Sequence, residues 1–304
     1  MQSTTTRDFD VIIIGGSYAG LSAAMALGRS LRKVLLVDSG KPCNRQTPHS
    51  HNFLTQDGNT PAAISAEGKA QVMKYETVKF HEGLVTDVKR TQNGFQVTTQ
   101  ADESFGARKI LFATGLWDQM PALKGFSECW GISVLHCPYC HGYEVHGTRL
   151  GILANGDMAF EFCRLINQWS KDLVLFTNGK STLTKEQSEK LKEHHIEIEE
   201  RPLARLEHDG GNLRNVVLSD ETKIPLQAVY ARPAFKQHCD IPERMGCELT
   251  EQGFIKTDDF QQTTIPGVYA AGDNIIMLRS VANAVASGMK AGAFINKALI
   301  DEAF

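Results

Sequence analysis

The sequence predicts an α/β protein built from two doubly wound units, on three observations. Residues 9–38 run strand, glycine turn, helix, strand; a diverged copy of that order begins at Arg149; and from Gly253 the chain returns to a strand-and-helix pattern. Phe9–Ile14 (FDVIII) is a short apolar run rich in β-branched side chains and bounded by Gly15-Gly16, the pattern of a parallel strand buried on both faces. Residues 19–31 follow helical spacing, and residues 33–38 (KVLLVD) read as a second buried strand. Residues 78–86 and Gly94–Thr99 read as strands, and the apolar run 109–113 ends at Thr114-Gly115. In the second unit, residues 149–153 and 172–177 are the strands and residues 157–169 the helix between them. Residues 183–194 form a polar helix with one narrow apolar edge, its charges a solvated face. Residues 216–226 suggest a hairpin and 228–232 a last strand. Near the C-terminus, residues 268–271 lead into Gly272-Asp273 and then a helix over 278–295 rich in Ala, Ser and Gly. Something must approach that helix closely, either another helix or a ligand. Units of this order are Rossmann-like.

Composition narrows the function classes. The chain has 304 residues, 42% hydrophobic and 22% charged, which is ordinary globular usage and enough for two cores. With 26 Gly and 10 Pro it is not collagen-like, and no segment combines low hydrophobicity with a long charge run. A net charge of -3 offers no basic field to nucleic acid or an anionic membrane. The apolar run 11–14 is too short for a span or a signal-peptide core. Seven cysteines are an odd number, and only Cys137 and Cys140 are close-set. Secreted disulfide frameworks look different, so a cytoplasmic location is expected.

The first glycine turn reads Gly15-Gly16-Ser17-Tyr18-Ala19-Gly20, or G-x-S-x-x-G. It departs from the dinucleotide fingerprint G-x-G-x-x-G only at Ser17, whose hydroxyl can still donate to a phosphate oxygen. The following helix start supplies amide donors and a favourable dipole. Asp38 ends the second strand, where a carboxylate accepts from ribose hydroxyls. A bare βα connection would need no such acid, so a dinucleotide is expected here.

His136-Cys137-Pro138-Tyr139-Cys140-His141 is the sharpest local feature. C-x-x-C-H also marks c-type haem attachment, but that chemistry belongs to exported chains. Zinc needs four ligands, and no second close-set Cys or His pair stands by. Inert packing is the usual fate of a free cysteine. The reading preferred is a redox pair closing a disulfide across one helical turn, its thiolate stabilised by the helix start and nearby cations. His141, beside the second sulfur, carries a pKa suited to proton transfer, the alternative being a histidine that merely starts a helix. Cys129, Cys163, Cys239 and Cys247 read as packing residues. Cys43, in the loop after Asp38 and two residues before Arg45, is read as structural although it lies where a cofactor could approach.

Together these motifs resemble the low-molecular-weight thioredoxin reductase-like flavoproteins over essentially the whole chain. IIIGGSYAGLSAA (12–24), ATG (113–115), CPYCHGYE (137–144) and TTIPGVYAAGD (263–273) stand in family order. The resemblance implies FAD in a discontinuous domain (1–119 and 248–304), an inserted NAD(P)-type domain (120–247) carrying the redox disulfide, and a homodimer. It places the FAD on Gly15, Ser17, Ala19, Gly20, Asp38, Arg45, Asn52, Gly115 and Asp273, with Arg279, Ser280 and Val281 near the flavin. The family commonly has Gln where Ser280 stands. It makes Cys140 the sulfur that exchanges electrons with the flavin and Cys137 the one that meets the partner disulfide. Ordinary thioredoxin reductases carry an aspartate proton donor where this chain has His141.

The nicotinamide site departs from the family pattern. Ala154-Asn155-Gly156-Asp157-Met158-Ala159 replaces G-G-G-x-x-A, and Thr177-Asn178-Gly179 stands where NADPH users carry a histidine and paired arginines. Without those guanidinium forks nothing recognises a 2′-phosphate, and no acid awaits the ribose of NADH; Lys180 is the one nearby cation. Weak NAD(P)H binding is expected. GGSYAGLSAA and CPYCHGYE look more like the gliotoxin- and holomycin-type dithiol oxidases, in which a dithiol reduces the disulfide, electrons pass to FAD, and oxygen takes them. The expected activity is an FAD-dependent thiol–disulfide oxidoreductase acting on a small dithiol or a thioredoxin-like protein. Ferredoxin, flavodoxin or a second flavin are other electron partners. The alternatives are an NAD(P)H-driven thioredoxin reductase and a flavoprotein that only senses redox state.

Overall fold

The computed structural model describes residues 9–304. The chain divides into two compact units: one takes the chain up to Arg45, Pro61–Trp117 and Phe235–Phe304, the other Gln46–Thr60 and Asp118–Ala234. No helix among the described residues is long and apolar enough to cross a membrane.

The first unit is built on a seven-stranded sheet. Its path runs Val78–Glu82, Val34–Asp38, Phe9–Ile14, Ser104–Phe112, Gly94–Thr99, Val85–Thr91, with Val268–Ala270 also paired to Ser104–Phe112. The Phe9–Ile14 strand is central and parallel to both neighbours, Ile12 facing Leu35 on one side and Ile110 on the other. Its side chains divide by period two. Val11 and Ile13 enter one core, Ile12 and Ile14 the other, so both faces are covered and the run is apolar throughout.

The segment read as one strand over 78–86 is two, Val78–Glu82 and Val85–Thr91, because the chain bends at Gly83 and re-enters the sheet antiparallel to Gly94–Thr99. The helix Pro61–Val72 gave no sequence signal, since it buries only Pro61, Ile64 and Val72.

The small-residue helix is Val281–Asp301, and it packs on the first helix, Tyr18–Arg29. A Cβ on Gly288 would lie 2.1 Å from the Ala19 carbonyl oxygen, and one on Gly292 would lie 2.8 Å from that of Ala23. Ser22 Oγ donates to the Val285 carbonyl at 2.7 Å. The close neighbour of that helix is therefore another helix.

The second unit holds a parallel five-stranded sheet in the order Glu197–Glu199, Leu173–Phe176, Leu150–Leu153, Ala228–Ala231, Val134–Leu135. Leu150, Ile152, Leu173, Leu175 and Tyr230 face one core, while Val174, Phe176, Val229 and Ala231 face the other. The hairpin suggested over 216–226 is part of a three-stranded antiparallel sheet, Leu203–Asp209, Asn212–Leu218 and Lys223–Pro225. The polar helix is Lys185–Glu193, started by a capping box in which Thr184 Oγ1 accepts from the Gln187 amide and the Thr184 amide donates to Gln187 Oε1.

Candidate active site: a dithiol turn and two glycine-turn cradles

The strand Val134–Leu135 delivers the chain to Cys137, which caps a single helical turn, Pro138–His141. Pro138 sits at the first helical position, where its fixed φ suits the helix and its missing N–H costs nothing. The amides of Cys140 and His141 both donate to the Cys137 carbonyl at 3.2 Å. That turn brings Cys140 Sγ to 2.7 Å from Cys137 Sγ.

The Cys137 thiol is drawn down to about 7. The Cys140 thiol hydrogen bond is the main cause, helped by the Cys140 and Tyr139 amides and the Arg232 guanidinium, against the opposing effect of burial. The other buried thiols behave oppositely. Burial alone pushes Cys163 up to about 12, and burial is the leading cause that raises Cys129, Cys239 and Cys247.

Burial lowers the His141 pKa, with Glu144 opposing and His51 reinforcing, so its imidazole is a neutral proton acceptor at pH 7. Tyr139 projects from the turn, 59% exposed, with its ring edge-on to Trp169 at 5.5 Å. Tyr230 lies fully buried on the strand Ala228–Ala231, and its hydroxyl meets no hydrogen-bond partner among the described residues. Its phenol is pushed up by burial first, then by the charges of Cys137, Glu144 and Cys140, which places it within electrostatic reach of both sulfurs. Arg232 follows on the same strand end, its guanidinium 4.4 Å above the Phe162 ring. Glu144, His51, Tyr230 and Arg232 were not among the residues singled out from sequence. Only Glu144 left a signal, standing three positions after His141 within the motif itself.

In the first unit, Gly15 has φ +104°, and a Cβ there would stand 2.3 Å from the Ala113 carbonyl oxygen. A Cβ on Gly20 would stand 1.9 Å from the Gly15 carbonyl oxygen. Neither position tolerates a side chain, so the turn holds backbone against backbone. Ser17 caps the helix Tyr18–Arg29 without a side-chain hydrogen bond, and no acid occupies the first turn, leaving that helix start suited to an anion. Asp38 lies against Gly16, where an added Cβ would be 2.8 Å from the Asp38 Cβ. The Thr114 hydroxyl is buried without a partner among the described residues, and beside it Gly115 (φ +65°) faces open space. Gly272, next to Asp273, lies over Ala19, and Arg279 Nε stands 3.5 Å from Asp273 Oδ2. These features fit a dinucleotide.

Other expected contacts are engaged within the chain. Ser280 Oγ accepts from the Asn283 amide at 3.1 Å and caps the helix that Val281 begins. Arg45 is exposed and donates to the Pro42 carbonyl at 3.1 Å. Asn52 (φ +59°) belongs to the second unit, where its amide donates to Asp57 Oδ1 at 2.7 Å.

The second glycine turn, at the start of the helix Gly156–Ile166, is filled by the chain itself. Asn155 Oδ1 accepts from the amides of Gly156 and Thr182 at 2.9 and 2.8 Å, and from Thr182 Oγ1 at 3.1 Å. Its Nδ2 donates to the Lys180 carbonyl at 3.0 Å. Asp157 brings a carboxylate into the first turn, held by Gln187 Nε2 at 2.8 Å. Asn178 Oδ1 accepts from the Leu203 amide at 2.8 Å. The Gly156 amide is thus already bound, and the first turn of the helix carries a negative charge at Asp157.

A dinucleotide-type glycine turn and a low-pKa dithiol, each on its own Rossmann-like unit, define a flavin-linked disulfide oxidoreductase. The family model for pyridine nucleotide-disulphide oxidoreductases matches residues 9–288, and the chain belongs to that family. It is 31% identical to a thioredoxin reductase, tcpT, of Claviceps purpurea, covering 98% of this chain and 96% of the relative. Identity to the thioredoxin reductase sirT of Leptosphaeria maculans is also 31%, over 97% of this chain and 95% of the relative. Among solved structures it superposes on HlmI with TM-score 0.91 at 35% identity, over 97% and 93% of the two chains. With an oxidoreductase from Agrobacterium tumefaciens the TM-score is 0.90 at 38% identity, over 97% and 99%. The chain is a thioredoxin reductase-like FAD enzyme.

Proposed function

We propose that the protein oxidises a dithiol to a disulfide through the Cys137/Cys140 couple, with FAD as its cofactor and without efficient use of NADPH. The observation that carries this reading is the Asn155 side chain filling the second glycine turn. FAD, when bound, supplies a two-electron acceptor; Gly15, Ser17, Ala19, Gly20, Asp38, Gly115 and Asp273 would hold it. Electrons then go on to oxygen or another acceptor.

The chain's own residues run the thiol half of the reaction. A substrate thiol loses its proton to the neutral His141 imidazole, and the resulting thiolate attacks Cys137 Sγ in the oxidised couple. The Cys137–Cys140 bond breaks, Cys140 leaves as a thiolate, and His141 returns the proton to it. The second substrate thiol attacks the substrate sulfur of the mixed disulfide, releases Cys137 as a thiolate, and gives up its proton to that thiolate or to solvent. The substrate leaves with one new S–S bond, and both enzyme sulfurs are reduced. An attacked Cys137 drawn to about 7 is a good leaving group in that last exchange.

Anaerobic mixing with NADPH, with NADH and with a simple dithiol tests the proposal by the bleaching of the flavin band. Bleaching by the dithiol alone, with colour restored by air, supports it. Rapid bleaching by micromolar NADPH overturns it in favour of an NAD(P)H-driven reductase of a thioredoxin-like protein, the second reading, which the likeness to the thioredoxin reductases tcpT and sirT favours.

A further inference from the structure

The segment Gln46–Thr60 packs with the unit that carries the dithiol turn and brings a histidine to it. His51 stands between two carboxylates, with Nδ1 3.6 Å from Asp57 Oδ1 and Nε2 3.4 Å from Glu144 Oε1. Its side chain is 20% exposed, against 68% for Asp57 and 41% for Glu144, so it is the sheltered member of a chain that reaches solvent at both ends. The His51 and His141 rings meet at right angles with centroids 6.2 Å apart. The His49 ring lies 6.4 Å from that of His51, its Nδ1 at 2.9 Å from the Gly58 carbonyl. Asp57 is itself fixed by the Asn52 amide at 2.7 Å.

We propose that His51, clamped between Asp57 and Glu144, is a positioning residue that keeps His141 in its neutral, proton-accepting form by holding the Glu144 carboxylate to itself. This rests on the reading of His141 as the base of the dithiol exchange. Glu144 stands against His51 and its charge also reaches His141, where a carboxylate favours the protonated, useless state. His51 Nε2, 3.4 Å from Glu144 Oε1, draws that carboxylate toward itself and away from His141. Glu144 raises and His51 lowers the His141 pKa, in keeping with that division. Asp57 completes the clamp from the other ring nitrogen, Nδ1. The groups facing this pair are thus Asp57, Glu144 and His49, with His141 itself beside Cys140.

The test measures the His141 titration directly. Holoenzyme labelled with 15N-histidine is titrated by NMR as wild type, His51→Gln and Glu144→Gln, the His141 signal being assigned by its loss in His141→Asn. His51→Gln is expected to move the His141 midpoint upward and Glu144→Gln to move it downward. Anaerobic reduction by dithiol should follow, with His51→Gln roughly threefold slower near pH 6.5 and closing on wild type as pH rises. An unmoved midpoint in His51→Gln, or the same direction of shift in both variants, overturns the proposal. Glu144 is a half-exposed side chain, so its variant keeps the test alive even where His51→Gln fails to fold. Opposite midpoint shifts in a protein that no dithiol reduces would uphold the positioning role and sink the dithiol reading instead.

Discussion

Asn155 and Thr182 are joined twice: the Thr182 amide and hydroxyl both donate to Asn155 Oδ1, at 2.8 and 3.1 Å. This pair ties the loop after the strand Leu173–Phe176 across the start of the helix Gly156–Ile166, and in the proposed reading it closes the turn to a pyridine nucleotide's phosphates. Asn155→Ala is therefore expected to cost about 1 kcal/mol of stability through the lost cap, read by urea unfolding. NADPH oxidation should stay far from saturation at micromolar cofactor in that variant. The Asp157 carboxylate remains, and no arginine fork is created.

A thiol drawn down to about 7 should be alkylated on the neutral side of the ordinary range. In the reduced protein, the iodoacetamide reactivity of Cys137 is expected to rise with a midpoint near pH 7. Because the Cys140 thiol is the leading cause, Cys140→Ala should carry that midpoint well up toward the ordinary thiol value. Arg232→Met, which removes the last-ranked influence, should raise it much less. Mass spectrometry of the labelled peptide reads both, and equal shifts in the two variants would contradict this ordering.

The Tyr230 hydroxyl sits in the interior with no partner among the described residues, which ordinarily costs about 1–3 kcal/mol. Tyr230→Phe keeps the ring and its edge-on contact with Phe162 at 5.9 Å while deleting the unsatisfied group. The variant should be as stable as wild type or more stable by about 1 kcal/mol in urea unfolding. A clear loss of stability would mean that the hydroxyl holds a partner the protein chain does not supply, such as a buried water reaching toward the sulfurs.

Much of this architecture is legible in the sequence because it is written in local pattern. Parallel strands covered on both faces leave continuous apolar runs such as Phe9–Ile14, and Gly15 and Gly20 mark where backbone meets backbone. Cys137 and Cys140 are three positions apart, so one helical turn suffices to join them. The unread parts depend on contacts distant in sequence. His51 reaches Glu144 and His141 only because Gln46–Thr60 packs with the second unit, and nothing in its own neighbourhood announces that. Asn155 is visible as a departure from a glycine pattern, but its hold on Thr182 depends on how a later loop folds back. The helix Pro61–Val72 escapes for the opposite reason, since its apolar stripe is too thin to show a period.

The crossing of the first and last helices gives the most severe substitution. Gly288 lies against the backbone of Ala19, and an added Cβ would be 2.1 Å from its carbonyl oxygen and 2.8 Å from its Cα. Those atoms belong to main chain in the middle of a packed unit, so no side-chain rotation relieves the overlap; the helices must separate. Ala19 adjoins Gly20, whose own position against the Gly15 carbonyl shapes the glycine turn. Gly288→Ala is therefore expected to destabilise the protein by about 2–4 kcal/mol and to open the proposed FAD cradle at the same time. The purified variant should show a lower ratio of flavin to protein absorbance and a lower unfolding midpoint. Ser287→Ala, one residue away, loses only the hydroxyl that accepts from the Gly272 amide at 3.0 Å, and should keep most of its flavin. If both variants retained flavin equally, the close crossing of these helices would not be what supports the cradle.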